Sequence, residues 1–170
     1  WPEEALKAQA VASRSYALAN LGRWAEEGYD LRSNTDDQVY RGLAQERPST
    51  TAAVRETAGQ VVTYEGRVVA AYYHSSSGGH TENNEHIWTG GSPRAYLRGV
   101  PDYDALPDNK YTAWSNTFTI DEFSQRLREA GHGVGRVTEV IPGSAGASGR
   151  PTTWTVIGSE GTKQLTMQQV

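Results

Sequence analysis

WPEEALKAQAVASRSYALANL, Trp1 to Leu21, has the pattern of a helix around which the rest of the chain can be placed. Pro2 suits a first helical turn, where its missing N–H is no loss, and Glu3 and Glu4 follow at the positive end of the helix dipole. Ala5, Ala8, Ala12 and Ser15 line one stripe of such a helix, and Leu6, Ala10, Ser13 and Ala17 another. Small residues therefore nearly encircle the rod, and neighbouring elements can approach its backbone closely. A helix of this kind belongs inside a domain. The pattern predicts that it runs from Glu3 to about Glu26, with Gly28 as its stop.

Outward from this helix, a polar stretch from Asp30 to Asp37 leads to a short extended Gln38-Val39-Tyr40. Pro48-Ser49-Thr50 opens a second predicted helix that runs to about Ala58, with Gly59 after it. Gln60 to Tyr64, a Glu65-Gly66 turn and Arg67 to Tyr73 form the clearest hairpin signal. Its second strand runs into the Ser/Gly loop YYHSSSGGHTE, Tyr72 to Glu82. The segment from Thr81 to Asn109 is rich in turn formers, with Trp88, Tyr96 and Leu97 as anchors, and is a candidate cleft wall. Trp114 to Thr119 alternates like a strand, and Thr119-Ile120-Asp121-Glu122 is a capping-box signature for a helix ending near Gly131. Arg136 to Ile141, Thr152 to Ile157 and Lys163 to Met167 read as strands around the loop Gly143 to Gly149. There is no internal repeat.

These elements predict an α+β architecture: a buried N-terminal Ala-rich helix packed on a small, mainly antiparallel sheet, with a substrate groove between the helix start and the Ser/Gly loop. At 170 residues the chain is long enough for one domain with a real core and short for two. It reads as a single domain over 1–170. It starts within a helix beginning and ends at Leu165 to Val170 without a capping element, so it also reads as a fragment truncated at both ends.

A net charge of −4 gives no general attraction to nucleic acid, which is not an expected partner. No apolar run approaches the roughly 18 residues that cross a bilayer. The chain has no Cys, which excludes disulfides and thiolate metal ligands.

The helix and the Ser/Gly loop, with NTDDQVYRG (Asn34 to Gly42), ETAGQVVTYEGRVVAAYYHSSSGG (Glu56 to Gly79) and IWTGGSPRAYLRGV (Ile87 to Val100), resemble the stage II sporulation protein D family, also called SpoIID/LytB. Several separate blocks occur in the family's order between Trp1 and Val100. Beyond Asp102 only the general pattern of a helix followed by strands is shared. The resemblance implies an extracytoplasmic protein that remodels peptidoglycan, typically a lytic transglycosylase acting on the glycan strand. It also implies an alternative, a non-catalytic wall-binding module that stimulates a separate amidase. Some relatives hold zinc with cysteines in the stretches aligned with Asn34 to Gly42 and with the Ser/Gly loop, and those stretches contain none here.

Cleaving a glycan needs a proton for the departing glycosidic oxygen, which a carboxyl in an apolar or aromatic pocket supplies well near neutral pH. Glu4, beside Trp1 and Pro2, is the candidate acid, although the helix N-terminus and Lys7 favour its charged form. The family has a further acidic position in a Glu-Met-Pro-like motif just before this helix. In a lytic transglycosylase, as the resemblance implies, the same carboxyl then takes the proton of the muramic acid C6 hydroxyl and an anhydro ring closes. A hydrolytic glycosidase needs a second carboxylate, for which Asp36, Asp37 or Glu82 are available. Gln38, Tyr40 and Tyr73 offer an amide and stacking rings to a saccharide. His74, Ser75, Ser76, Ser77, Gly78, Gly79, His80, Thr81 and Glu82 offer hydroxyls, imidazoles, a carboxylate and backbone N–H groups made approachable by glycine. His74, His80, Glu82 and His86 match no helical zinc motif, so no metal and no cofactor is expected. Arg14 is expected to pair internally rather than with substrate.

Overall fold

The computed structural model describes residues 1–88, 90–104 and 115–169. The fold class is α+β, and the chain divides into two compact units, Trp1–His74 and Ser75–Val170.

In the first unit α1 spans Glu3–Ala19 and α2 Pro48–Glu56; β1 (Thr63–Tyr64) and β2 (Arg67–Val68) pair antiparallel. The turn between the strands has φ of 50° at Glu65 and 75° at Gly66. Two positive φ values suit the right-handed strand twist of a two-residue hairpin, and glycine supplies one of them without strain. Regular pairing is shorter than the sequence predicts, because among the described residues no third strand extends this ladder. The first helix also stops short of Glu26. The side-chain amide of Asn20 donates to the Tyr16 carbonyl at 2.8 Å, and Gly22 turns left-handed with its N–H on Asp30. A polar C-cap thus ends the helix before Gly28 is reached.

Only Ser15 and Tyr16 of α1 are buried, while Ala5, Ala8 and Leu18 remain exposed. The helix is tied to its neighbours mainly by polar contacts. The Ser15 hydroxyl donates to the Val11 carbonyl (2.7 Å) and accepts the Val62 N–H (2.8 Å). The Arg14 guanidinium donates to the carbonyls of Thr57 (2.7 Å), the C-cap of α2, and of Gln60 (2.8 Å) in the turn that follows. Arg14 is thus an internal clamp. Ala53, Val69 and Ala70 supply the apolar burial, and Tyr16 meets Tyr72 edge to face.

In the second unit a single turn, α3 (Asn84–Ile87), lies in the loop region, and α4 (Ile120–Glu129) precedes the sheet β3 (Val137–Pro142), β4 (Thr153–Gly158), β5 (Gly161–Thr166). The sheet is antiparallel in the order β3-β4-β5. The capping box is formed: the Thr119 hydroxyl accepts the Glu122 N–H, and the Glu122 carboxylate accepts the Thr119 N–H. Helix α4 turns Leu127 and Phe123 onto Val134, Val137, Trp154, Val156 and Leu165, a core of apolar side chains from one helix, three strands and the turn before the first of them. Burial of these groups at roughly 25 cal/mol per Å² of apolar surface is what holds the helix to the sheet. Residues 115–119 form no regular element, and Trp114, the start of the predicted strand there, lies outside the described residues. No described helix is long and apolar enough to cross a membrane.

Candidate functional site

The predicted site residues divide between the units: Glu4, Gln38, Tyr40, Tyr73 and His74 belong to the first, and Ser75 to Glu82 to the second.

Within the first unit, Gln38 joins three of the singled-out segments. Its amide nitrogen donates to the Ser13 carbonyl of α1 at 3.1 Å, and its amide oxygen accepts the Tyr73 hydroxyl at 2.9 Å. The helix, the Asn34–Gly42 block and the end of the hairpin therefore meet at one side chain. Tyr73 is partly exposed, and its hydroxyl oxygen retains acceptor capacity. Tyr40 and His74 are exposed.

The residue before Gln38 fixes this block in place. The Asp37 carboxylate is 0% exposed and accepts from the Tyr16 hydroxyl (3.0 Å), the Arg23 guanidinium (2.8 Å), the Trp24 indole N–H (2.7 Å) and the Arg32 N–H (2.8 Å). Burial raises its pKa, but the bonds from Arg32, Trp24 and Tyr16 and the charge of Arg23 outweigh burial and leave it lowered. The Arg32 guanidinium also stacks 3.6 Å above the Trp24 ring. With its acceptor positions filled, Asp37 is not disposed to activate a water.

Glu4 stands at the opposite end of α1, about 13 Å along the axis from Ser13 at 1.5 Å per residue. Its side chain is 84% exposed and pairs with Lys7 at 3.1 Å, and Trp1 beside it is 93% exposed. Lys7 also holds Glu3 (2.6 Å) and Glu56 (2.8 Å). Hydrogen bonds to Glu3, Glu56 and Glu4 keep the Lys7 ammonium charged well above the usual lysine range. Of the two opposing influences read from the sequence, an apolar cover from Trp1 and Pro2 and a cation at Lys7, Glu4 meets the cation and solvent.

In the second unit the Ser/Gly loop is folded around one carboxylate. Asp104 accepts the Ser76 hydroxyl (2.6 Å) and the N–H groups of Ser77, Gly78 (3.2 Å) and Gly79 (3.0 Å). The Ser76 hydroxyl is the largest of the effects that hold the Asp104 carboxyl far below its ordinary range, and the three N–H groups add to it. On the other side of the same peptides, Arg150 donates to the carbonyls of Ser77 and His80 (3.2 Å to the latter). Gly78 and Gly79 have φ of 66° and 98°, and a Cβ on Gly78 would lie 2.5 Å from the Arg150 guanidinium. Glycine is required there both by conformation and by space.

Glu82 is likewise turned inward, its side chain 4% exposed. It accepts the N–H groups of Asn83 (2.8 Å), Ala147 (2.9 Å) and Ser148 (3.1 Å), the Ser148 hydroxyl (2.6 Å) and His86 Nδ1 (3.0 Å). Burial pushes its pKa up, but the Ser148 and His86 bonds, with the backbone N–H groups, bring it down to about 2. A Cβ on Gly146 would meet this carboxylate, so a side chain there would push Glu82 off its partners. His80 donates through Nδ1 to the Thr81 carbonyl, and the Thr81 hydroxyl accepts the Val100 N–H. Among the described residues no three His, Cys, Asp or Glu side chains are grouped to hold a metal.

Sequence reasoning placed the loop but not Asp104, Arg150 or Ser148, which give it shape. A Ser-Ser-Gly-Gly turn signals converging N–H donors that want an anion. Nothing in the local pattern says which distant carboxylate answers.

Residues 1–64 match the family model described as stage II sporulation protein. Stage II sporulation protein D of Bacillus amyloliquefaciens is 35% identical over 158 residues, covering 82% of this chain and 45% of that protein. An uncharacterised protein of Brachyspira hyodysenteriae is 35% identical over 128 residues, 75% of this chain and 34% of its own length. A Bacillus subtilis protein named amidase enhancer is 38% identical over 93 residues, 55% of this chain and 12% of its length. The chain spans less than half the length of each of these relatives.

Proposed function

The chain belongs to the stage II sporulation protein D (SpoIID/LytB) family, and from that membership we propose that it works outside the cytoplasm on bacterial peptidoglycan, engaging the glycan strand and cleaving it as a lytic transglycosylase. The observation that carries the proposal is the convergence of α1, the Asn34–Gly42 block and the hairpin end on Gln38. Glu4 protonates the glycosidic oxygen and then takes the C6 hydroxyl proton, which closes the anhydro ring. Tyr40, Tyr73 and His74 contribute ring faces and polar edges, and the loop Ser75 to Glu82 contributes hydroxyls. The roughly 13 Å of helix between Glu4 and Ser13 suits an extended ligand rather than a small one. Asp37 and Glu82 stay out of the chemistry, since their oxygens are spent within the chain, and the mechanism rests on one carboxyl.

A second reading is favoured by a specific observation. Glu4 is open to solvent and shares Lys7 with two other carboxylates, the setting of a surface ion-pair cluster. Together with the relative named amidase enhancer, this supports a wall-binding module that assists a separate amidase. Both readings require glycan affinity. Tyr73→Phe and Gln38→Ala are each expected to weaken binding of peptide-stripped glycan strands by about three- to tenfold, the worth of one or two hydrogen bonds. Isothermal titration measures this, and unchanged affinity in both variants would exclude this part of the chain from the binding surface.

A further inference from the structure

The Ser76–Gly79 turn is an anion receptor whose occupant is part of the same chain. Four donors from four consecutive residues close on the Asp104 carboxylate, two of them from residues held at positive φ. The carbonyl side of those peptides is closed by the Arg150 guanidinium. Fixed N–H dipoles bind a carboxylate and a guanidinium binds carbonyls, so each charge supports the other through the peptide planes between them. Without the carboxylate, convergent N–H groups repel one another, and the local bond from the Gly79 N–H to the Ser77 hydroxyl, at 3.2 Å, is a weak constraint on two adjacent glycines.

We propose that Asp104 is the positioning residue of the Ser/Gly loop: its carboxylate is the template on which Ser76 to Gly79 fold into their ligand-binding shape, and a small free carboxylate can replace it. The part of this concerning ligand affinity rests on the loop's proposed contact with glycan. A consequence for specificity follows. The N–H face of the loop is spent on Asp104, so what the loop presents to a ligand is the exposed Ser75 and the remaining acceptor capacity of the Ser76 hydroxyl. These suit neutral sugar hydroxyls and offer an anion no converging set of N–H donors.

The test uses the full 170-residue chain with Asp104→Ala and Asp104→Asn, read two ways: the amide resonances of Gly78 and Gly79, and affinity for peptide-stripped glycan strands. In Asp104→Ala the two amide protons are expected to move upfield, and sodium formate, with chloride as control, returns them downfield with saturation. Glycan affinity falls by tenfold or more, as expected when four converging donors lose their shared acceptor and the loop its shape, and formate restores most of it. Asp104→Asn keeps the shape but sets its own N–H₂ against the donors, so it binds weakly and does not respond to formate; it decides the matter if the alanine variant fails to fold. Wild-type amide positions in Asp104→Ala, or undiminished glycan affinity, would overturn the proposal. If the wild-type chain binds no glycan, the proposed function fails, and the formate titration of the amides alone decides whether Asp104 shapes the loop.

Discussion

Asp37→Ala is expected to destabilise the N-terminal unit by about 3–5 kcal/mol, the cost of leaving several buried donors without their shared acceptor. The carboxylate has no exposed surface and gathers the Tyr16 hydroxyl of α1, the Arg23 guanidinium and Trp24 indole N–H that follow the helix, and the Arg32 backbone N–H. No one of these bonds decides the effect. Removing the acceptor strands the Tyr16 hydroxyl and Trp24 indole in a site too enclosed for ready replacement by water. Asp37→Asn keeps one acceptor oxygen and is expected to lose about half as much. Equilibrium urea unfolding followed by far-ultraviolet circular dichroism measures both, and a loss under about 1 kcal/mol for the alanine variant would show that water or rearrangement satisfies these donors. Because Gln38 follows directly, glycan affinity is expected to fall in parallel.

Glu82 makes the C-terminal unit acid-sensitive in a defined window. Its folded-state pKa is about 2 against an ordinary value of 4.5. The unfolded chain therefore takes up a proton first as pH falls. The contribution is complete above about pH 4.5, declines below it and is lost near pH 2, and its size is on the order of 3 kcal/mol. Glu82→Gln carries no such charge, so it starts less stable and should show a shallower slope over that window. Comparing urea midpoints of the two proteins across the window isolates Glu82 from the other carboxylates, which titrate in both. Parallel slopes would mean that the bonds to Ser148, Ala147 and Asn83 do not discriminate between the two forms of the group.

Much of the fold is legible because it is encoded locally. Pro2 with Glu3 and Glu4, Pro48, the Glu65-Gly66 turn and the Thr119/Glu122 box each act within a few residues, and each element begins where they place it. The end of α1 was misplaced because Gly28 is the more conspicuous signal, whereas Asn20 caps through its side chain. The burial of α1 was overstated for a related reason: small side chains permit close approach on all sides but do not compel it, and Arg14, Ser15 and Tyr16 choose one face. The site was legible as a set of segments and illegible as a set of roles. Asp104 reaches Gly79 across 25 positions and Arg150 reaches Ser77 across 73. A composition of Ser and Gly announces donors without saying that an internal carboxylate satisfies them. Glu82 stands in the sequence as one more polar residue of the loop, and two of the groups that turn it inward, the Ala147 and Ser148 N–H groups, lie 65 and 66 residues away.

Cleavage of glycan strands through Glu4, as proposed, leaves an anhydro-muramyl end that mass spectrometry detects. Peptide-stripped strands incubated with the wild-type chain are expected to carry such ends and strands incubated with Glu4→Gln to lack them, with strand binding retained in both. Binding without anhydro products from the wild type, or equal products from the variant, would rule the proposal out.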